Sequence, residues 1–204
     1  MGSVVYCRFM KRNLRHIGVF CGSSTGNHPI YEQKAIECAN EMVKRQMDLI
    51  YGGGGKGIMG SIASTMKEGN RRVIGVIPNL IYEMVRHIDH DEDELIVVET
   101  MHERKALMYD KSDAFIALPG GIGTLEEFLE VFTWLQLGYH TKPVGILNIA
   151  EFYTPFIDML QQMVIKGFVR QEMVDALVVE EDPKTLFDRL ETISLNISLK
   201  IQKS

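Results

Sequence analysis

The chain has 204 residues, 46% hydrophobic and 24% charged, with a formal net charge of −5. That is soluble-globular composition with room for one substantial core, and the acid excess argues against a broad nucleic-acid surface. No apolar run reaches membrane-span length, and Cys7, Cys21 and Cys38 have neither metal spacing nor a CxxC pair, which favours a reducing, cytoplasmic setting.

Residues 1–14 read as a loosely ordered extension: their charges follow the apolar patch, unlike a signal peptide, and Tyr6 stands where a myristoylation signal needs Ser or Thr. Residues 16–21 (HIGVFC) form a predicted first strand, followed by the turn GSSTGNHP. An amphipathic helix is expected over 30–46, with Tyr31, Ala35, Cys38, Ala39 and Met42 on its apolar face. Residues 48–51 are a second strand running into GGGGKG, 58–68 a helix, and 72–77 a third strand stopped by Pro78. The pattern then weakens over 79–94 into a loop rich in acids and histidines. A fourth strand (95–99), a helix (101–111) and an apolar fifth strand (113–118) follow, then the turn PGGIGT and a helix over 125–137. A sixth strand (143–147), a helix (151–166), a last strand (176–179) and a closing helix (183–195) complete the chain. This alternation predicts an α/β fold: a three-layer, Rossmann-like, doubly wound parallel sheet of about six or seven strands, one domain over 15–204.

In such sheets ligands bind beyond the carboxyl ends of the strands, where three glycine-rich turns fall. GGGGKG contains GxGxxG, but Lys56 is followed by Gly57 rather than Ser or Thr, and the next strand ends in Pro78 rather than an acid. Walker A and dinucleotide readings are therefore disfavoured; Gly53 and Gly54 either touch a ligand or only shape a tight turn. Ser23 and Ser24 carry the same choice. Gly120, Gly121, Ile122, Gly123 and Thr124, between strand and helix, suit an anion held by backbone N–H groups.

The acids after that turn have an ordinary explanation: Thr124 to Glu127 fits a capping box, and Glu126 favours the helix dipole. Yet a bound phosphate would repel both, and a first-turn position would lower the Glu127 pKa, suiting a carboxylate that stabilises positive charge or activates water. Arg104 and Lys105 are the reverse case. Thr100 to Glu103 is a second capping box, so these cations open a helix against its dipole, as an anionic partner would explain. His87 to Glu94 looks metal-rich but lacks helical HxxxH geometry; a solvated or ligand-covering loop and no metal are expected. Leu125, Leu129, Val131 and Leu137 make the helix after the turn apolar nearly all round, predicting a homodimer face.

With PGGIGTLEE, the Arg104-Lys105 pair, CGSS and YGGGGKGIMG in place, the chain resembles the LOG ("Lonely guy") family of cytokinin riboside 5'-monophosphate phosphoribohydrolases over about residues 16–187. Pro119, Gly120, Gly121, Gly123, Thr124 and Glu127 match the family signature PGGxGTxxE. The resemblance implies a nucleoside 5'-monophosphate substrate, no cofactor, a catalytic pair at Arg104 and Glu127, a phosphate turn at 121–124 and a substrate contact at Thr133. Ile122 replaces a usual Tyr, and a Pro-Arg-Glu segment after the third strand is missing, which bears on base preference. A general AMP nucleosidase and a non-catalytic nucleotide carrier are the alternatives. Members are often labelled possible lysine decarboxylases, but that chemistry needs pyridoxal phosphate on a Schiff-base lysine with a partner for its ring nitrogen; isolated lysines do not supply it.

Overall fold

The computed structural model describes residues 11–85, 92–195 and 197. Seven strands form its centre: β1 (His16–Phe20), β2 (Asp48–Tyr51), β3 (Val73–Pro78), β4 (Glu94–Val98), β5 (Ala114–Ala117), β6 (Val144–Leu147) and β7 (Leu177–Glu180). They run parallel in the order β4-β3-β2-β1-β5-β6-β7. The helices are α1 (Ile30–Lys44), α2 (Gly57–Glu68), α3 (Asn79–Val85), α4 (Met101–Lys111), α5 (Ile122–Leu137), α6 (Thr154–Ile165), α7 (Gln171–Asp175) and α8 (Pro183–Thr192), with a 3-10 turn at Ile149–Glu151. The doubly wound, Rossmann-like fold is present with seven strands.

A parallel sheet must be covered on both faces, so its strands are apolar throughout rather than alternating. Successive residues feed opposite layers. Ile17, Val19, Ala114 and Ile116 pack with α1, α2 and α8; Phe20, Phe115 and Ala117 pack with Met108 of α4 and Phe128 and Phe132 of α5. Gly18 keeps the sheet centre thin, since a Cβ there would press on the Phe115 ring at 2.7 Å.

The chain winds outward from β1 to β4, then crosses back so that β5 pairs with the free side of β1, Phe20 beside Ala117. This reversal opens a crevice at the strand ends, where such folds take ligands. Two glycine turns meet across it: the Gly22 N–H donates to the Pro119 carbonyl at 3.1 Å. The turn after β2 closes the third side. Gly57 adopts φ 61°, and a Cβ there would overlap the Ser23 backbone, so only glycine permits this approach.

Four local expectations need correction. Residues 79–85 form α3 rather than loop; the helix has no buried residue, so no hydrophobic period betrayed it. The short α7 was also unforeseen. Residues 11–14, expected as part of the extension, lie against the domain: the Arg12 N–H donates to Glu191 at 2.7 Å and Leu14 is buried. Residues 1–10 lie outside the described residues, as does most of the polar loop expected around His87. The fourth correction concerns the start of α5.

Candidate active site

α5 begins at Ile122, with Gly121 as an extended N-cap that makes no side-chain cap bond. The expected capping box from Thr124 to Glu127 does not form. Thr124 is the third helical residue and is buried, and its hydroxyl sits where a Cβ on Gly120 would overlap it. The Leu125 N–H already donates to the Gly121 carbonyl at 3.2 Å. Starting the helix earlier leaves its first turn, beside the cleft, without a side-chain cap and moves Glu127 beyond that turn, free for another partner.

That partner comes from α4, whose capping box is as expected: Thr100 Oγ1 accepts from the Glu103 N–H at 3.1 Å, and the Glu103 carboxylate accepts from the Thr100 N–H at 3.3 Å. The cap fixes the helix start and turns Arg104 inward over β3, where Nε donates to the Val76 carbonyl at 3.0 Å. Its Nη1 contacts the Met101 sulfur at 3.4 Å and makes a close ion pair with Glu127 Oε1. The side chains of Arg104 and Glu127 are only 11% and 12% exposed, so this is a mostly desolvated pair. Gly52 makes space for it, because any Cβ there would overlap the guanidinium.

Burial pushes the Glu127 carboxyl above its ordinary range, outweighing the charge and hydrogen bond of Arg104 that pull it down. This overturns the expected dipole-lowered value, since Glu127 is neither in the first turn nor solvated. Lys105 takes a different direction from Arg104. Its ammonium lies 2.6 Å from Glu126 Oε1 and 3.0 Å from Glu130 Oε1. Burial disfavours that ammonium, but the two carboxylates more than compensate and raise its pKa.

A cleft of about 350 Å³ joins these groups, walled by Ser23, Gly53, Arg104, Gly121, Gly123, Thr124 and Glu127 together with the apolar Met59, Ile81 and Met101. A second hollow of about 250 Å³ shares Gly22, Ser23 and Gly121 with it and adds Ser24, Gly120 and the rings of Tyr31 and Phe152. Of the sequence-predicted residues, Ser23, Gly53, Arg104, Gly121, Gly123, Thr124 and Glu127 therefore converge. Ser24 and Gly120 line the second hollow. Gly54 instead donates its N–H to Glu92 at 3.1 Å, beside the Tyr51 hydroxyl on the same oxygen at 2.5 Å. Glu126 is half exposed and holds Lys105, Ile122 is 88% exposed outside the cleft, and Thr133 is exposed farther along α5. Sequence reasoning had Gly52 only as part of the GGGGKG turn, without its place beside Arg104, and missed Met59, Ile81, Met101 and Glu130. Glu130 alone left a signal, four residues after Glu126 and so on the same helix face.

Fold and cleft define a Rossmann-type α/β protein whose glycine-rich turns line a cleft beside a buried guanidinium–carboxylate pair. A family model described as "Possible lysine decarboxylase" matches residues 59–190. A cytokinin riboside 5'-monophosphate phosphoribohydrolase of Arabidopsis thaliana is 46% identical over 182 residues, 89% of this chain and 84% of that protein. Its namesake in Oryza sativa subsp. japonica is 44% identical over 182 residues, covering 89% and 74%. The chain belongs to this LOG family. Among solved structures, the molybdenum cofactor carrier protein of Chlamydomonas reinhardtii superposes with a TM-score of 0.64 at 20% identity, over 86% of this chain and 95% of that one; the likeness is one of fold.

Proposed function

We propose that this protein hydrolyses the N-glycosidic bond of N6-modified adenosine 5'-monophosphates, releasing the free base and ribose 5-phosphate. The observation that carries the reading is the buried Arg104–Glu127 pair at the cleft bounded by the α5 start. The N–H groups of residues 121–124 hold the 5'-phosphate, with Ser23 across the crevice. Glu127 faces the ribose, where it stabilises the oxocarbenium-like carbon and takes a proton from the attacking water. The new C1′–O bond forms as the C1′–N bond breaks, and the proton ends on the departing base. Arg104 neutralises the negative charge that builds on the leaving group, and its charge favours the ionised form of Glu127 against the effect of burial. Met59, Ile81 and Met101 give the base an apolar wall.

Lys105, charged and doubly paired, is unlike the neutral amine a Schiff base requires, which weighs against decarboxylation. Exposed Ile122 and Leu129 on α5 support self-association through that face, and the buried free thiols Cys21 and Cys38 fit a reducing compartment. Incubation with AMP and with isopentenyladenosine monophosphate tests the activity. Released base, faster from the prenylated substrate and lost in Glu127→Gln, is expected; no release from any nucleoside monophosphate overturns the reading.

A further inference from the structure

Behind Glu127, on the side away from the cleft, a void of about 10 Å³ lies between Lys105, Glu127 and Glu130, walled by Phe20, Met108 and Val131. That is room for at most about one water, so charges across it are weakly screened. Lys105 spans from α4 to two carboxylates on α5, and its side chain is 10% exposed against 23% for Glu130. Neighbouring residues thus tie the same two helices twice: Arg104 to Glu127 on the cleft side, Lys105 to Glu130 and Glu126 behind. We propose that Lys105 and Glu130 are positioning residues for the reaction, a charged buttress that fixes α4 against α5 and so the meeting of Arg104 and Glu127. The inference rests on Glu127 being the catalytic carboxylate.

A buttress of this kind acts on Glu127 in two ways. It sets where the carboxylate stands, since a small misplacement of a reacting group is costly in rate. It also sets the local field. The titratable and charged groups around Glu127 are Arg104, Lys105 and Tyr109 of α4, Glu126 and Glu130 of α5, and the buried thiol of Cys21 after β1. Lys105 favours ionised Glu127 and Glu126 opposes it. Removing the ammonium therefore raises the Glu127 pKa further, whereas neutralising Glu130 uncovers the ammonium and lowers it.

The test compares pH–rate profiles of Lys105→Met, Lys105→Arg and Glu130→Gln on the prenylated nucleotide. Lys105→Met is expected to lose about tenfold or more in kcat with KM little changed, and its acid limb moves to higher pH. Glu130→Gln, which keeps the side-chain shape and reports even if Lys105→Met fails to fold, also loses kcat, but its acid limb moves to lower pH. Lys105→Arg keeps the wild-type limb. A rise in KM alone in Lys105→Met would make Lys105 a substrate contact, and a lowered Tm with an unmoved limb would make the cluster merely structural; either result overturns the proposal. Glu127→Gln, run alongside, separates the two failures: if it stays active the catalytic reading falls, and if it is dead while Glu130→Gln matches wild type only the buttress falls.

Discussion

At Arg104 one planar group reaches the Val76 carbonyl, the Met101 sulfur and the Glu127 carboxylate. An ammonium in its place keeps the charge but cannot hold that fork. Arg104→Lys is therefore expected to lose about a hundredfold in kcat/KM with a nearly unchanged Tm, as assayed by base release and thermal melting. Gly52→Ala reaches the same end from the other side, because its methyl overlaps the guanidinium; its activity falls while its circular dichroism remains that of wild type. In the proposed mechanism Glu127 supplies the pH dependence. Its carboxyl is raised by burial and must be ionised to take a proton, so the acid limb of kcat/KM lies above the range of an ordinary glutamate. A limb at or below that range would remove Glu127 from the role.

α4 and α5 show what a local pattern can and cannot disclose. The box from Thr100 to Glu103 is present, and Thr100→Ala should cost about 1 kcal/mol, a Tm loss of roughly 2–4 °C for a chain of this size. The box from Thr124 to Glu127 has the same spelling and is absent, because Gly121 starts the helix earlier and Arg104 claims the carboxylate. Strands such as β5 were legible because a doubly covered strand is apolar without interruption; α3 was not, because it buries none of its residues. The signature glycines of the fifth-strand turn could be read singly, each from its family position. The contacts of Gly52 and Met101 with Arg104 could not, since they arise only where the fold brings these residues together.

Over the whole molecule, the strand reversal between β1 and β5 gathers residues from 21 to 127 around one cleft, so a ligand there binds several segments that unfolding would scatter. In Glu127→Gln, which holds substrate without cleaving it, AMP at about a hundred times its Kd should add roughly 2.7 kcal/mol, raising Tm by about 5–10 °C; no shift would argue against a preformed nucleotide site. The bare start of α5 carries this further. No side chain caps that helix, so a phosphate held there, as proposed, would itself be the missing cap, and occupancy and helix completion would become one event. The amides of residues 122–124 should then exchange with deuterium slowly in the presence of ribose 5-phosphate and faster in its absence. The product would be held by the same bonds that finish the helix, so inorganic phosphate, by taking the helix end for itself, should compete with substrate and product alike.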